Sequence, residues 1–209
     1  GTFLYHDCDI ALTKPLELDN YLCGCDSTCY LSNTTTYIGY EYILSKGRDV
    51  LDLMLKIVDI DESIIKNNQK NSGGCQYLLK NIDYKFWEKV EIDCENLFTE
   101  VTQLNIKKQA KNSQYHPLQI WCADMWAVLW NLWKDNRKTK IIDELEFTWA
   151  THQIDQWGKH SIFHNAGVNN TDNNAFYKAK YLSKRPTKDL KINPLLASYN
   201  YYELVKQIL

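Results

Sequence analysis

An α/β fold, a mixed sheet flanked by helices, is predicted by three features of this sequence. Short apolar strand-like runs at residues 3–6, 10–12, 75–79, 147–150 and 161–163 alternate with stretches of helical spacing, and no internal period appears. Of 209 residues, 44% are hydrophobic and 13% aromatic, enough to bury a sizeable core. Residues 49–58 and 119–133 carry apolar side chains at helical spacing, so each can lay a stripe on a core.

In chain order, residues 3–6 and 10–12 read as a strand broken by an acidic motif, before a short helix at 16–21. Residues 30–31 and 35–37 read as strand entering a helix over 37–44, which stops at Gly47. The amphipathic helix at 49–58 has an acidic first turn, and 59–72 reads as polar surface. Gly73 and Gly74 predict a tight backbone turn before the 75–79 strand. A long helix over 84–104 precedes a mobile polar loop at 107–113, then the helix at 119–133, with Trp121, Met125, Val128, Leu129 and Leu132 in register. Strands at 147–150 and 161–163 precede a terminal helix over 199–209, capped near Ser198. Trp121 and Trp130 are expected in the core, while Trp126, beside Asp124, is the tryptophan expected near a site.

The most informative motif is Asp7-Cys8-Asp9, where two carboxylates bracket one small residue after an apolar run. Residues i and i+2 of a strand share a face, and a strand that is ending can swing both side chains toward one point. Two hard oxygen ligands suit Mg²⁺ or Mn²⁺, whose coordination substrate phosphates can complete. Far downstream, His164 leaves the apolar run Ser161-Ile162-Phe163, Gly167 permits close backbone approach, and Lys178 follows an Asn-rich stretch. Alone, the acidic pair is as readily a polar turn, and His164 as readily a core histidine. Together they supply a metal ligand pair, an imidazole, a tight turn and a phosphate-binding cation.

With these residues in view, the chain resembles the nucleotide-sugar glycosyltransferases of the GT-A fold, a Rossmann-related fold, over most of its length. Four blocks carry the resemblance: Tyr5-His6-Asp7-Cys8-Asp9-Ile10, Gly73-Gly74-Cys75-Gln76-Tyr77-Leu78-Leu79-Lys80, Trp121-Cys122-Ala123-Asp124-Met125-Trp126-Ala127, and His164-Asn165-Ala166-Gly167-Val168 with Lys178. The wording is also similar to glycosyltransferases inferred for giant DNA viruses. The resemblance implies that Asp7, Asp9 and His164 hold Mn²⁺ or Mg²⁺ against a nucleoside-diphosphate sugar such as a UDP-sugar. Asp9 would bind the metal directly, and Asp7 the ribose or the metal through water. Lys178 and the Gly167 turn would contact the diphosphate, Gly74 and Gln76 would line the sugar pocket, and Asp124 would act as acid/base on a glycan, glycoprotein or other hydroxyl acceptor. His152 and Asp155 are outer candidates. GT-A enzymes place two or three strand-helix units before the acidic motif, whereas six residues precede Asp7 here. The expectation is therefore that residues 1–209 are one portion, the C-terminal part, of a catalytic domain whose nucleotide half is supplied by an N-terminal region or another domain.

A formal net charge of −2 and a pI near 6.2 remove the general case for nucleic-acid binding. Residues 178–209 are locally basic, with seven Lys/Arg against two acids, which reads either as an anion-facing surface or as a solvated tail. No apolar run approaches a membrane span, and no secretory leader pattern is present. Seven cysteines exclude a fully paired disulfide framework, and reduced thiols in host cytoplasm or a viral factory are expected. The sequons at Asn33 and Asn169 leave a secretory route open. Cys23, Cys25 and Cys29, with His6 and Cys8 upstream, lack the Cys-x₂-Cys spacing usual in structural zinc sites, so buried or loop thiols are the expectation. Two other classes remain open: a noncatalytic carbohydrate-binding or scaffold module, and a metal-dependent phosphohydrolase.

Overall fold

The computed structural model describes residues 1–22, 27–171 and 174–209. In chain order these form β1 (Thr2–His6), β2 (Ile10–Leu12), α1 (Asp19–Leu22), β3 (Cys29–Asn33), α2 (Thr35–Ile38), α3 (Tyr40–Ser45), α4 (Arg48–Val58), α5 (Glu62–Asn68), β4 (Gly73–Lys80), α6 (Tyr84–Lys111), α7 (Ala123–Lys134), β5 (Thr139–Ile141), β6 (Phe147–Trp149), β7 (Ile162–His164) and α8 (Ala197–Gln207). The fold is mixed α/β, with two separate sheets that each combine parallel and antiparallel pairs. The chain divides into two compact units, one of Gly1–Tyr5 with Gly24–Ile142, the other of His6–Cys23 with Asp143–Leu209.

In the first unit the sheet order is β1-β4-β3-β5. β3 runs antiparallel to β4, pairing Tyr30 with Leu78, and parallel to β5, pairing Cys29 with Thr139. All eight residues of β4 are buried, the polar Gln76 and Lys80 among them, so its burial does not alternate. Gly73 and Gly74 lie within β4 rather than in the expected turn. Their requirement is space: a Cβ on Gly73 would meet Leu31 and the Ser32 carbonyl, and one on Gly74 would meet the Tyr77 hydroxyl at 2.5 Å. The left-handed backbone falls instead on Cys75, at φ 70°.

α4 buries Val50, Leu51, Met54 and Val58, all on one helical face, and ends where Asp59 turns left-handed at φ 58°. Residues 35–38 are helical rather than extended, and Gly39 breaks them from α3 with φ −69° and ψ 164°. The expected polar surface at 59–72 contains α5, started by Asp61, whose carboxylate accepts from Ser63 N–H. α6 continues through Lys111, so most of the expected loop at 107–113 is helix. Its last turns carry Lys108 and Lys111 near the negative helix end, and Lys108 pairs with Asp49 at 2.5 Å.

The helix expected at 119–133 begins at Ala123, preceded by a 3₁₀ turn at Ile120–Cys122. This changes two tryptophan assignments. Trp130 is core, as expected. Trp121 sits in the tighter 3₁₀ turn and stands 60% exposed, because the α-helical phase does not extend back to it. Trp126 is fully buried, and its indole N–H donates to the Ile38 carbonyl at 2.9 Å.

In the second unit the sheet order is β2-β7-β6, with β2 antiparallel and β6 parallel to β7. Phe163, Ala150 and Ala197 form its core, and the Phe163 ring stacks on Tyr201 at 5.2 Å. α1 begins three residues later than the helix expected from Leu16. α8 starts at Ala197, so Ser198 lies inside it; its hydroxyl accepts from Phe176 N–H instead of capping. Among the described residues, Cys8, Cys29, Cys75, Cys94 and Cys122 are outside any disulfide, and no helix is long and apolar enough to cross a membrane. Cys23 and Cys25 lie outside the described residues.

Candidate metal centre

The acidic motif occupies the turn between β1 and β2, and strand register decides what faces it. β2 pairs antiparallel with β7 so that Ile10 lies opposite His164. The ladder continues one step beyond β2, where Asn165 N–H donates to the Asp9 carbonyl at 3.0 Å. His164 therefore arrives beside the acidic pair through backbone pairing of distant segments, not through local sequence.

The imidazole of His164 faces both carboxylates. His164 Nε2 lies 3.1 Å from Asp7 Oδ2 and 3.3 Å from Asp9 Oδ1. The imidazole is 2% exposed, packed edge-on against Phe147 at 5.2 Å and face-parallel to Trp149 at 6.5 Å. Phe147 and Trp149 share one face of β6 because they are two residues apart, and that face fixes the ring plane. Lys178, from the 3₁₀ turn Lys178–Tyr181, pairs with the other oxygen of Asp9. Solvent access is graded: the Asp7 side chain is 36% exposed and that of Asp9 12%.

The Asp9 carboxyl is held below its ordinary value against an opposing force. Burial would raise it, but hydrogen bonds and charge from His164 and Lys178 outweigh that effect. Asp9 is thus an anion wherever those partners stay in place. Tyr201 senses the same charge: burial raises its phenol first, and the carboxylate of Asp9 adds to the shift.

Gly167 follows His164 by three residues with φ 75°, in the left-handed region that favours glycine. A Cβ there would come 3.0 Å from the Trp149 ring, so the turn is closed tightly against the residue that stacks on His164. Asn165 has no role that its sequence context suggests; it is 2% exposed, and neither its amide nitrogen nor its oxygen has a hydrogen-bond partner among the described residues. The signal that could have found Phe147 and Trp149 is the alternation in Phe147-Thr148-Trp149.

The remaining sequence candidates sit on other elements of the fold. Gly74 and Gln76 belong to β4 of the first unit. Gln76 is fully buried, with Oε1 accepting from Ser32 Oγ at 3.1 Å and Nε2 lacking a partner among the described residues. Asp124 is in the first turn of α7, also in the first unit. His152 and Asp155 build the turn after β6: His152 Nδ1 accepts from Trp149 N–H at 3.4 Å, and Asp155 accepts from the Gln156 amide at 3.0 Å.

No family model matches this chain, and neither a curated protein nor a solved structure does. What the site can do therefore rests on its own chemistry. Two carboxylates and one imidazole form a donor set that divalent Mn²⁺, Mg²⁺ or Zn²⁺ accept. Donors at adjacent corners around a cation with bonds of about 2.1–2.2 Å stand roughly 3.0–3.1 Å apart, close to the spacing of His164 from the two carboxylates. The residues fit a divalent cation.

Proposed function

We propose that this chain is the metal- and diphosphate-handling part of a glycosyltransferase, which moves a sugar from a nucleoside-diphosphate donor to a hydroxyl acceptor. The fold expected for such an enzyme is GT-A-like. The observation that supports the reading is the His164 imidazole facing the carboxylates of both Asp7 and Asp9, with Lys178 on the far oxygen of Asp9.

Charge accounting favours an anionic ligand beside a divalent ion. Two carboxylates and one ammonium leave one uncompensated negative charge when His164 is neutral. A divalent cation reverses that sign and makes the site attractive to a diphosphate. Asp9 and Asp7 would hold Mn²⁺ or Mg²⁺, and His164 Nε2 would complete the protein ligands, its ring held by Phe147 and Trp149. When bound, the cation neutralises charge developing on the leaving diphosphate. Lys178 supplies a second positive charge to the same oxygens, and the Gly167 turn lets backbone N–H groups approach them.

The test is nucleotide release from a panel of UDP- and GDP-sugars with Mn²⁺ and simple acceptors. Asp9→Ala and His164→Ala are each expected to abolish it. Activity kept in both variants overturns the site. Phosphate release from UDP itself, without sugar transfer, would assign the same cluster to phosphohydrolysis instead.

A further inference from the structure

We infer that the first unit carries a second ligand site, a saccharide-binding trough with Trp121 as its platform. It uses none of Asp7, Asp9, His164 or Lys178, so it stands or falls separately from the metal centre.

Trp121 is held outward by construction. Its neighbours Cys122 and Ala123 are buried at 0% and 3% exposure, which anchors the backbone while the indole remains 60% exposed. The Tyr37 ring stacks against it at 6.4 Å with a 29° interplanar angle, which leaves the rest of the indole open to solvent. A large aromatic kept exposed leaves apolar surface uncovered.

Two open depressions meet at Trp121 and Phe98, which is itself 53% exposed. One, of about 740 Å³, runs past Thr102, Ile106 and Ile120; the other, of about 590 Å³, runs past Glu95, Thr99 and Asp124. The lining therefore alternates flat apolar faces with hydroxyls, carboxylates and the amides of Gln109 and Gln119.

These features select the class of ligand. A pyranose presents a C–H face for the indole and equatorial hydroxyls for the surrounding acceptors and donors. Glu95 and Asp124 line the smaller depression and Lys46 and His116 the larger, so the trough has no single sign of charge that would select a polyanion. An amphipathic peptide would need a continuous apolar floor, whereas this one is interrupted by Thr99 and Thr102. A neutral oligosaccharide fits the alternation.

Calorimetric titration of the full chain with maltotriose, cellotriose and chitotriose tests the assignment. At least one is expected to bind, with Trp121→Ala weakening it by about tenfold or more, as loss of a stacking face predicts. The urea midpoint of Trp121→Ala should stay near the parent, and Asp9→Ala should bind the sugar normally. No binding of any of the three at about 10 mM overturns the proposal, since even weak sugar sites register there. So does binding that survives Trp121→Ala.

Discussion

Lys178 closes on Asp9 across 169 residues of chain, taking the carboxylate oxygen that His164 does not face. One carboxylate is thus shared between a lysine and an imidazole, and each partner lowers its pKa. This pairing sets the first expectation. Lys178→Met removes a positive charge next to the proposed cation, so Mn²⁺ affinity of the free protein should rise by about three- to tenfold. The same variant should weaken UDP binding in the presence of Mn²⁺. Calorimetry of both ligands on both proteins checks the opposite signs, and a parallel fall in both affinities would refute the competition.

Metal binding should appear as stability. A ligand at one hundred times its Kd stabilises the folded state by about 2.7 kcal/mol. A clear upward shift in Tm with Mn²⁺ is expected for the parent protein. Asp9→Asn and His164→Gln preserve most of the side-chain volume and should lose that shift. If both retain it, the cation binds elsewhere.

Gly167→Ala should destabilise by about 1 kcal/mol or more, because alanine disfavours a left-handed backbone. The added methyl also presses on Trp149, which positions His164. Urea denaturation gives the first effect, and a drop in Mn²⁺ affinity reports the second.

Two tryptophans five residues apart should behave oppositely. Trp126→Ala empties a fully buried site and strips a hydrogen bond from the Ile38 carbonyl, with an expected cost of roughly 3–5 kcal/mol. Trp121→Ala should change stability by no more than about 0.5 kcal/mol, since its ring is mostly in solvent. Paired chemical denaturation curves decide between them.

Acid should erase the contribution of Glu62. Hydrogen bonds from Arg48 first, then Tyr40, hold its carboxyl below the ordinary value. A carboxyl lowered in the folded state adds stability above its unfolded pKa, about 4.3, and that stability is lost as pH falls through the lower folded value. Glu62→Gln should therefore be less stable than the parent at pH 7, with the gap shrinking progressively below about pH 4.3. A gap in urea midpoint that is constant down to pH 2–3, at the edge of the carboxyl range, would show that Glu62 acts through shape alone.

Local chemistry makes part of this protein legible in its amino-acid order. The four apolar positions of α4 fall on one face by spacing alone, and β2 and β7 follow from short apolar runs. The pairing of Asp7 with Asp9 is a local fact of a strand end. Other elements lack such a signal. β5 is three residues long and holds its place by parallel pairing with β3, a long-range interaction with no local pattern. α5 is short and polar, and depends on the Asp61 cap. Trp121 departs from its expected core position because the helical phase of α7 does not carry back through a 3₁₀ turn.

The sequence by itself determined the α/β class, the stripe of α4, the acidic pair and the residue types a cation needs, because propensity, periodicity and adjacent spacing are local properties. Only the tertiary structure decided that His164 and Lys178 reach that pair, that Phe147 and Trp149 hold the imidazole, and which tryptophan faces solvent. Those outcomes depend on strand register and helix phase, which are fixed when distant segments bury their surfaces against each other.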